Sequence, residues 1–305
     1  MNFGPRATPE ESFAIMDRAL ELGINFWDTA NVYGQRKYEG YTETILGQYF
    51  AARPGAREKV ILATKFHGRM GDGENDRGCS MVHMRHACEA SLRRLQTDYI
   101  DLYQMHHVDR ATPWAELWSG IQQLRLAGKI VYAGSSNFAG WHIASANEAA
   151  ARHGELGLVS EQSKYSLIER TIEMEVVPAC RHYGVGIIPW SPLESGLLGG
   201  VIGLQPDPNS RRSGERFEKR VEGLRPKLEA WEALCSQFGE KPADIALAWM
   251  LAKPQITAPI IGPRTLDQLN GSIRAIEIHL STEQVQQIEA IWTGPRGEAP
   301  EAYAW

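Results

Sequence analysis

INFWDTANVYG, residues 24–34, decides how this chain is read. Its first five residues form a short apolar run that closes on a carboxylate, Asp28. Two later runs close on a polar group in the same way: VILATK (60–65) on Lys65 and DLYQMH (101–106) on His106. Each run is too short for a helix and is rich in the branched and aromatic residues that suit strands. Helical patterns separate them. Thr8 to Glu11 reads as a capping box with Pro9 at the first helical position. Phe13, Met16 and Leu20 then fall on an i, i+3, i+7 face, which polar Asp17 interrupts. Strand and helix in alternation predict a parallel sheet with crossover helices.

The rhythm continues outward. Helices are expected near residues 41–50, after Ser80 (with Met84, Ala87, Ser91 and Leu95 on one face) and near 114–127. KIVYAGSSN (129–137) follows, then another helix and LGLVSEQ (156–162). A helix over 173–183 leads to VGIIPWSP (185–192), and a loop rich in Pro, Gly, Ser and Arg covers 193–223. Two helical stretches around 226–252 reach ITAPIIG (256–262). Helices near 265–276 and 282–292 and an irregular tail close the chain. This gives about seven candidate strands, where a closed α/β barrel needs eight. The deficit lies at the front, where MNFG precedes the first helix.

The 305 residues, 43% hydrophobic and 23% charged, suffice for one large core, so a single barrel domain over 1–305 is expected. A net charge of −5 gives no support for nucleic acid or anionic membranes as partners. No apolar run approaches the roughly 20 residues needed to span a bilayer. The opening MNFGPRATPEES lacks the apolar core of a signal peptide. Cys79, Cys88, Cys180 and Cys235 show no metal-like or redox-like spacing, which reads as reduced thiols in a cytoplasmic protein.

Asp28, Lys65 and His106 end different strands, and Tyr33 lies in the loop after the first. In a parallel barrel, chemistry is built at the C-terminal ends of the strands. A hydride reaching a carbonyl carbon leaves an alkoxide that must be protonated. Tyr33 can donate that proton, although a free phenol has a pKa of about 10. An ammonium beside it stabilises the phenolate, a role that fits Lys65, with Asp28 to hold the lysine. His106 can hydrogen-bond the carbonyl oxygen. Taken singly, Asp28 is a loop cap, Lys65 a solvated strand end, Tyr33 a packing residue and His106 a structural histidine. Their joint placement carries the catalytic reading.

A metal site built from His106 and His107 with Asp101 and Asp109 is weaker, because adjacent strand residues face opposite sides. No metal is expected. A Schiff-base role for Lys65 stays physically open. No strand–GxGxxG–helix fingerprint occurs, so a Rossmann dinucleotide site is not supported.

GINFWDTANVYG, LATK, DLYQMHHVD, GSSN, SEQSKYSL, IIPWSPLESGLL and PIIGPRT, in that order, resemble the aldo-keto reductases. These are NAD(P)H-dependent carbonyl reductases on an (α/β)8 TIM barrel. The resemblance is strongest to bacterial members and to the β-subunits of voltage-gated potassium channels. It implies Tyr33 as general acid/base, Lys65 and Asp28 as its tuning pair, and His106 as the residue that orients the carbonyl. Ser136, Asn137 and Gln162 would bind the nicotinamide carboxamide, and Trp190 would stack on the ring. Ser191, Leu193, Ser195 and Leu197 would line the pyrophosphate. Gly262, Arg264 and Gln268 would surround the adenosine end, near a helix start at Thr265. A guanidinium pairs well with phosphate, so Arg264 favours NADPH.

Departures matter too. Relatives carry Gly-Lys-Tyr after the Leu-Leu of the pyrophosphate loop, where this chain has Gly200-Val201-Ile202, so Arg211 or Arg212 would have to supply the cation. Gly271 and Ser272 stand where relatives often have an acidic residue and Asn. Relatives also begin with a β-hairpin and a first barrel strand. A barrel lacking both is therefore expected, with an open seam between its second and eighth strands.

The implied activity is NAD(P)H-dependent reduction of aldehydes or ketones by a cytoplasmic monomer. The alternatives are a redox-sensing or regulatory subunit with slow turnover, and a barrel inactivated by the missing strand. The substrate pocket is expected from 66–78, 107–114 and 203–217, with Tyr303 and Trp305 near its mouth. Phe66, His107, Trp114 and Phe217 suggest tolerance of aromatic substrates.

Overall fold

The computed structural model describes residues 2–203, 214–295 and 297–304. Thr8 opens α1 (Pro9–Glu21) as expected: its hydroxyl accepts from Glu11 N at 3.2 Å, and the Glu11 carboxylate accepts from Thr8 N at 2.8 Å. Ile15, Met16 and Ala19 are buried along one face. Asp17 breaks that face for a reason. It accepts from Tyr49 Oη (2.8 Å) on α2 (Tyr41–Ala52), and from Arg53 at 3.2 and 3.0 Å.

The alternation then proceeds through β1 (Phe26–Asp28), β2 (Ile61–Phe66), α3 (Met81–Leu95), β3 (Ile100–Met105) and α4 (Trp114–Leu126). It continues with β4 (Ile130–Ser136), α5 (Gly140–Arg152) and β5 (Leu158–Gln162). Ser80 caps α3 by accepting from His83 N, and Met84, Ala87, Ser91 and Leu95 are buried as the spacing predicts. The five strands pair in parallel in chain order, with Asp28 opposite Ala63, Lys65 opposite Gln104 and Ser136 opposite Gln162. That register brings the polar ends of all five strands to one edge. Between Ala133 and Gly134 it shifts, and a Cβ on Gly134 would lie 2.4 Å from Ser160 Oγ. Only glycine lets β4 and β5 close up beneath Ser135 and Ser136.

The chain divides into two compact units. The first comprises Met1–Gln162, His182–Val185 and Gly262–Leu269, and holds β1–β5. The second comprises Ser163–Arg181, Gly186–Ile261 and Asn270–Trp305. Between β5 and α7 lie α6 (Val176–Tyr183) and the two-residue β6 (Gly186–Ile187), followed by α7 (Glu215–Phe238) and α8 (Pro242–Leu251). Next come α9 (Leu266–Glu277), α10 (Thr282–Ile291) and a last helical turn, Glu301–Ala304, where the sequence suggested an irregular tail. The second unit is organised around Trp231 and Trp249, packed with Tyr165, Leu197, Leu198, Leu228, Ile245 and Ile288. Large aromatic side chains bury much apolar area and are the strongest single contributors to such a core.

Two further expectations change. ITAPIIG forms no strand among the described residues. It runs beside β6 with one bridge, Ile187 to Ile256, and donates from Thr257 N to Ile187 O (2.9 Å) and from Ile260 N to Pro189 O (2.8 Å). Pro259 has no N–H to give, so the ladder cannot extend. The helix expected to begin near Pro226 starts instead at Glu215 and runs through the proline, its buried face carrying Leu228, Trp231, Leu234 and Cys235. Six strands are described, so the α/β class with parallel strands holds without a full set of eight. No helix among the described residues is long and apolar enough to cross a membrane.

Candidate active site

Strand alternation sends Lys65 to one face of β2 and Phe66 to the other. Phe66 is fully buried and stacks on Tyr103, ring centroids 4.6 Å apart, which removes it from the expected pocket wall. Trp114, at the head of α4, leans on Phe138 at 6.1 Å. Lys65 is 0% exposed, an expensive place for an ammonium unless all its protons are used. They are. Nζ donates to Asp28 Oδ2 (2.5 Å), to the Thr29 carbonyl (2.9 Å) and to Tyr33 Oη (3.4 Å).

Asp28, only 7% exposed, is held from its other side. Oδ1 accepts from Gln104 Nε2 (3.0 Å) and from Gln162 Nε2 (2.9 Å), and the two glutamines meet at 3.3 Å. Gln104 is the site residue that the sequence did not yield. The signal was there: a glutamine inside the apolar run DLYQMH, two residues before His106. Gln162 joins this network through Asp28, a contact the resemblance did not imply.

The Tyr33 ring stands edge-on to His106, centroids 5.6 Å apart and planes at 79°. Burial raises the Tyr33 pKa above the ordinary phenol value; Lys65 pulls it down and Asp28 adds to the rise. The expected pull of Lys65 is present but outweighed, and Tyr33 rests as the neutral phenol that a proton donor must be. Burial, then Lys65, His107 and His67, push the His106 pKa down to about 3. His106 is thus a neutral imidazole near pH 7, able to donate one hydrogen bond without carrying charge.

The expectation that His106 and His107 face apart fails. Their rings stack at 5.2 Å and 9°, because β3 has already ended at Met105 and alternation no longer governs His107. His67 follows at 5.6 Å from His107. Asp101 is committed elsewhere, to Arg57 (2.7 Å) and Leu62 N (2.9 Å). Asp109 accepts from Cys79 N, Ala111 N and Thr112 Oγ1. Among the described residues no group of three His, Cys, Asp or Glu side chains could hold a metal ion. All four cysteines are buried thiols.

Beside the four residues, in the same unit, lies the expected carboxamide set. Asn137 takes a left-handed backbone (φ 59°), and its Nδ2 donates to Ser136 Oγ (2.9 Å) and to the His106 carbonyl (3.2 Å). Ser136 Oγ donates to the Gln162 carbonyl at 2.8 Å. The expected adenosine set is also in the first unit. Gly262 O accepts from Asn2 Nδ2 (2.7 Å), and the Gln268 side chain accepts from Arg264 N (2.7 Å) just before α9.

The expected pyrophosphate loop belongs to the second unit. Trp190 N donates to Ser163 O at 2.9 Å, pairing this segment with Lys164. Ser191 and Ser195 have φ of 57° and 60°. Leu193 packs against the tryptophan core, and Leu197 is fully buried in it, so the Leu197 side chain is core and only its backbone can line a ligand. Arg211 and Arg212 lie outside the described residues, as does Trp305.

Comparison with known proteins agrees on one family. The family model described as Aldo/keto reductase family matches residues 1–293. The chain is 51% identical over 312 residues to "Uncharacterized oxidoreductase YrpG" of Bacillus subtilis, covering 100% of this chain and 94% of that one. It is 34% identical over 293 residues to norsolorinic acid reductase stcV of Emericella nidulans, covering 92% and 72%. With versiconal hemiacetal acetate reductase of Aspergillus parasiticus it shares 30% over 301 residues, covering 92% and 86%.

Proposed function

The chain belongs to the aldo/keto reductase family, and on that premise we propose that it reduces aldehydes or ketones to alcohols with NADPH, using Tyr33 as the acid. The observation that carries this reading is the buried chain Asp28–Lys65–Tyr33. It holds an ammonium 3.4 Å from a phenol that burial keeps protonated.

The donor set suits a nicotinamide dinucleotide. Ser136, Asn137 and Gln162 offer the hydroxyl and amides that a carboxamide can pair with. Gly262, Arg264 and Gln268 would take the adenosine end, with Arg264 supplying the cation for a 2′-phosphate. Bound NADPH supplies the hydride. Tyr33 Oη gives its proton to the developing alkoxide, and Lys65 stabilises the phenolate left behind. Asp28, clamped by Gln104 and Gln162, fixes Lys65. His106, neutral, donates a hydrogen bond to the carbonyl oxygen, strengthening as charge develops there.

The reading takes residues 1–305 as one (α/β)8-type catalytic domain acting as a cytoplasmic monomer. Two relatives bear the names of reductases for norsolorinic acid and versiconal hemiacetal acetate; only reduction is carried over from them. The test is cofactor oxidation with para-nitrobenzaldehyde, NADPH and NADH in parallel. Steady turnover at about 1 s⁻¹ or faster, with NADPH preferred, is expected. A folded chain that binds NADPH and does not turn over would overturn the reductase reading and favour a regulatory subunit.

A further inference from the structure

Glu161 is a fully buried carboxyl group in β5, one residue before Gln162. Alternation turns these two side chains to opposite faces of the strand. Gln162 reaches Asp28, so Glu161 points away from the reacting groups, and the mechanism above gives it no part. A buried carboxyl group is expensive unless its oxygens are hydrogen-bonded. Both of them are. Oε2 accepts from the hydroxyl of Ser135, which lies directly opposite on β4, and Oε1 accepts from Phe138 N at 3.1 Å.

These two donors bracket residues 136 and 137, the turn that leaves β4. Inside the bracket, Ser136 Oγ and Asn137 N both donate to the Gln162 carbonyl, at 2.8 and 3.0 Å. Asn137 has φ 59°, a left-handed conformation that costs a non-glycine residue free energy and persists only where its surroundings fix it. Fixing it takes a restraint on each side of the turn. Ser135 supplies the one before and Phe138 N the one after, and both end on the same carboxyl group. Asn137 then donates from Nδ2 to the His106 carbonyl at 3.2 Å. A line of contacts therefore runs from the far face of β5 to the backbone of His106, entirely within the first unit.

We propose that Glu161 is a positioning residue for the reduction. By accepting from Ser135 and Phe138 it sets Asn137 in its left-handed conformation. Through Asn137 it fixes both the carboxamide contacts and the backbone that carries His106. This rests on the NADPH reading above. Glu161 touches neither cofactor nor substrate, and it acts on the nicotinamide end of the dinucleotide alone.

The test compares the full chain as wild type, Glu161→Leu and Glu161→Gln. Titration calorimetry gives Kd for NADPH and for adenosine 2′,5′-bisphosphate, which lacks the nicotinamide; kinetics with para-nitrobenzaldehyde gives kcat. Leucine is close to glutamate in size and accepts no hydrogen bond. Glu161→Leu should therefore raise the NADPH Kd and lower kcat, each roughly tenfold. The bisphosphate Kd should stay at the wild-type value. In Glu161→Gln the amide oxygen can accept from Phe138 N while the amide nitrogen donates to Ser135 Oγ, whose own proton turns to the Ser160 carbonyl at 3.4 Å. Glutamine should thus recover most of both losses. A folded Glu161→Leu chain with wild-type NADPH Kd and kcat would overturn the proposal and leave the NADPH reading intact. Equal weakening of NADPH and bisphosphate binding would also overturn it, as the mark of a merely structural defect. Should Glu161→Leu fail to fold, Ser135→Ala removes one of the two donors and decides: NADPH binding weakened about threefold supports the proposal, and wild-type binding rejects it. A wild type that binds neither NADPH nor NADH sinks the NADPH reading, and this one with it.

Discussion

Tyr33→Phe is expected to lower kcat for carbonyl reduction by about 10²- to 10⁴-fold, the usual contribution of a positioned general acid. Its NADPH affinity should stay unchanged. Phenylalanine keeps the ring that stands edge-on to His106 at 5.6 Å, so the wall of the site survives. What goes is the hydroxyl 3.4 Å from Lys65 Nζ. The alkoxide would then have to take its proton from water in a site that burial keeps poorly hydrated. Steady-state kinetics with para-nitrobenzaldehyde, beside an NADPH titration, measures both quantities. Turnover within a few-fold of wild type would remove Tyr33 from the mechanism and leave the buried Asp28–Lys65 pair without a catalytic purpose.

The second large effect falls on stability. Lys65→Met removes a fully buried ammonium and leaves the Asp28 carboxylate, 7% exposed, without its cation. Breaking a buried ion pair from one side costs about 3–5 kcal/mol. The Gln104 and Gln162 amides still donate to Asp28, which places the expected cost at the lower end of that range. For a chain of this size the loss corresponds to a Tm decrease on the order of 10 °C. The double variant Asp28→Asn, Lys65→Met should recover part of it, because no uncompensated charge then remains. Thermal melts of the two variants beside wild type read this out. A Lys65→Met chain as stable as wild type would show that Asp28 is solvated in the folded protein, contrary to the burial described here. Activity should fall in both variants, since the phenolate loses its counter-charge even where stability returns.

Much of the site was legible because its members close strands. An ionisable residue at the end of an apolar run stands out, and Asp28, Lys65 and His106 all do. Gln104 did not, because a glutamine inside a strand is unremarkable until its register opposite Lys65 is known. Phe66 was misplaced although alternation alone, one residue past Lys65, turns it away from the site. His107 was misplaced for the opposite reason: alternation was applied two residues beyond the end of β3. Glu194 lay inside the loop expected over 193–223, and its partners Lys164 and Arg220 come from distant parts of the chain.

The fold follows the same division. Local signals such as the Thr8–Glu11 capping box and the Ser80 cap are written in adjacent residues and survive into the structure. Asp17 looked like a flaw in an apolar stripe until Tyr49 and Arg53 arrived from elsewhere in the chain. The seventh strand failed where Pro259 withholds an N–H, a limit the sequence does state. The extension of α7 back to Glu215 was hidden by Pro226, which reads as a breaker, and the buried face through Trp231 overrides it.

The most direct measurement of the central claim is isotope transfer from NADPH deuterated at the transferring position of its nicotinamide ring. After turnover with para-nitrobenzaldehyde, mass spectrometry of the alcohol should find one deuterium on the carbinol carbon, and Tyr33→Phe should slow its appearance without redirecting it. An alcohol without deuterium at that carbon would contradict direct hydride transfer and the account of this site built on it.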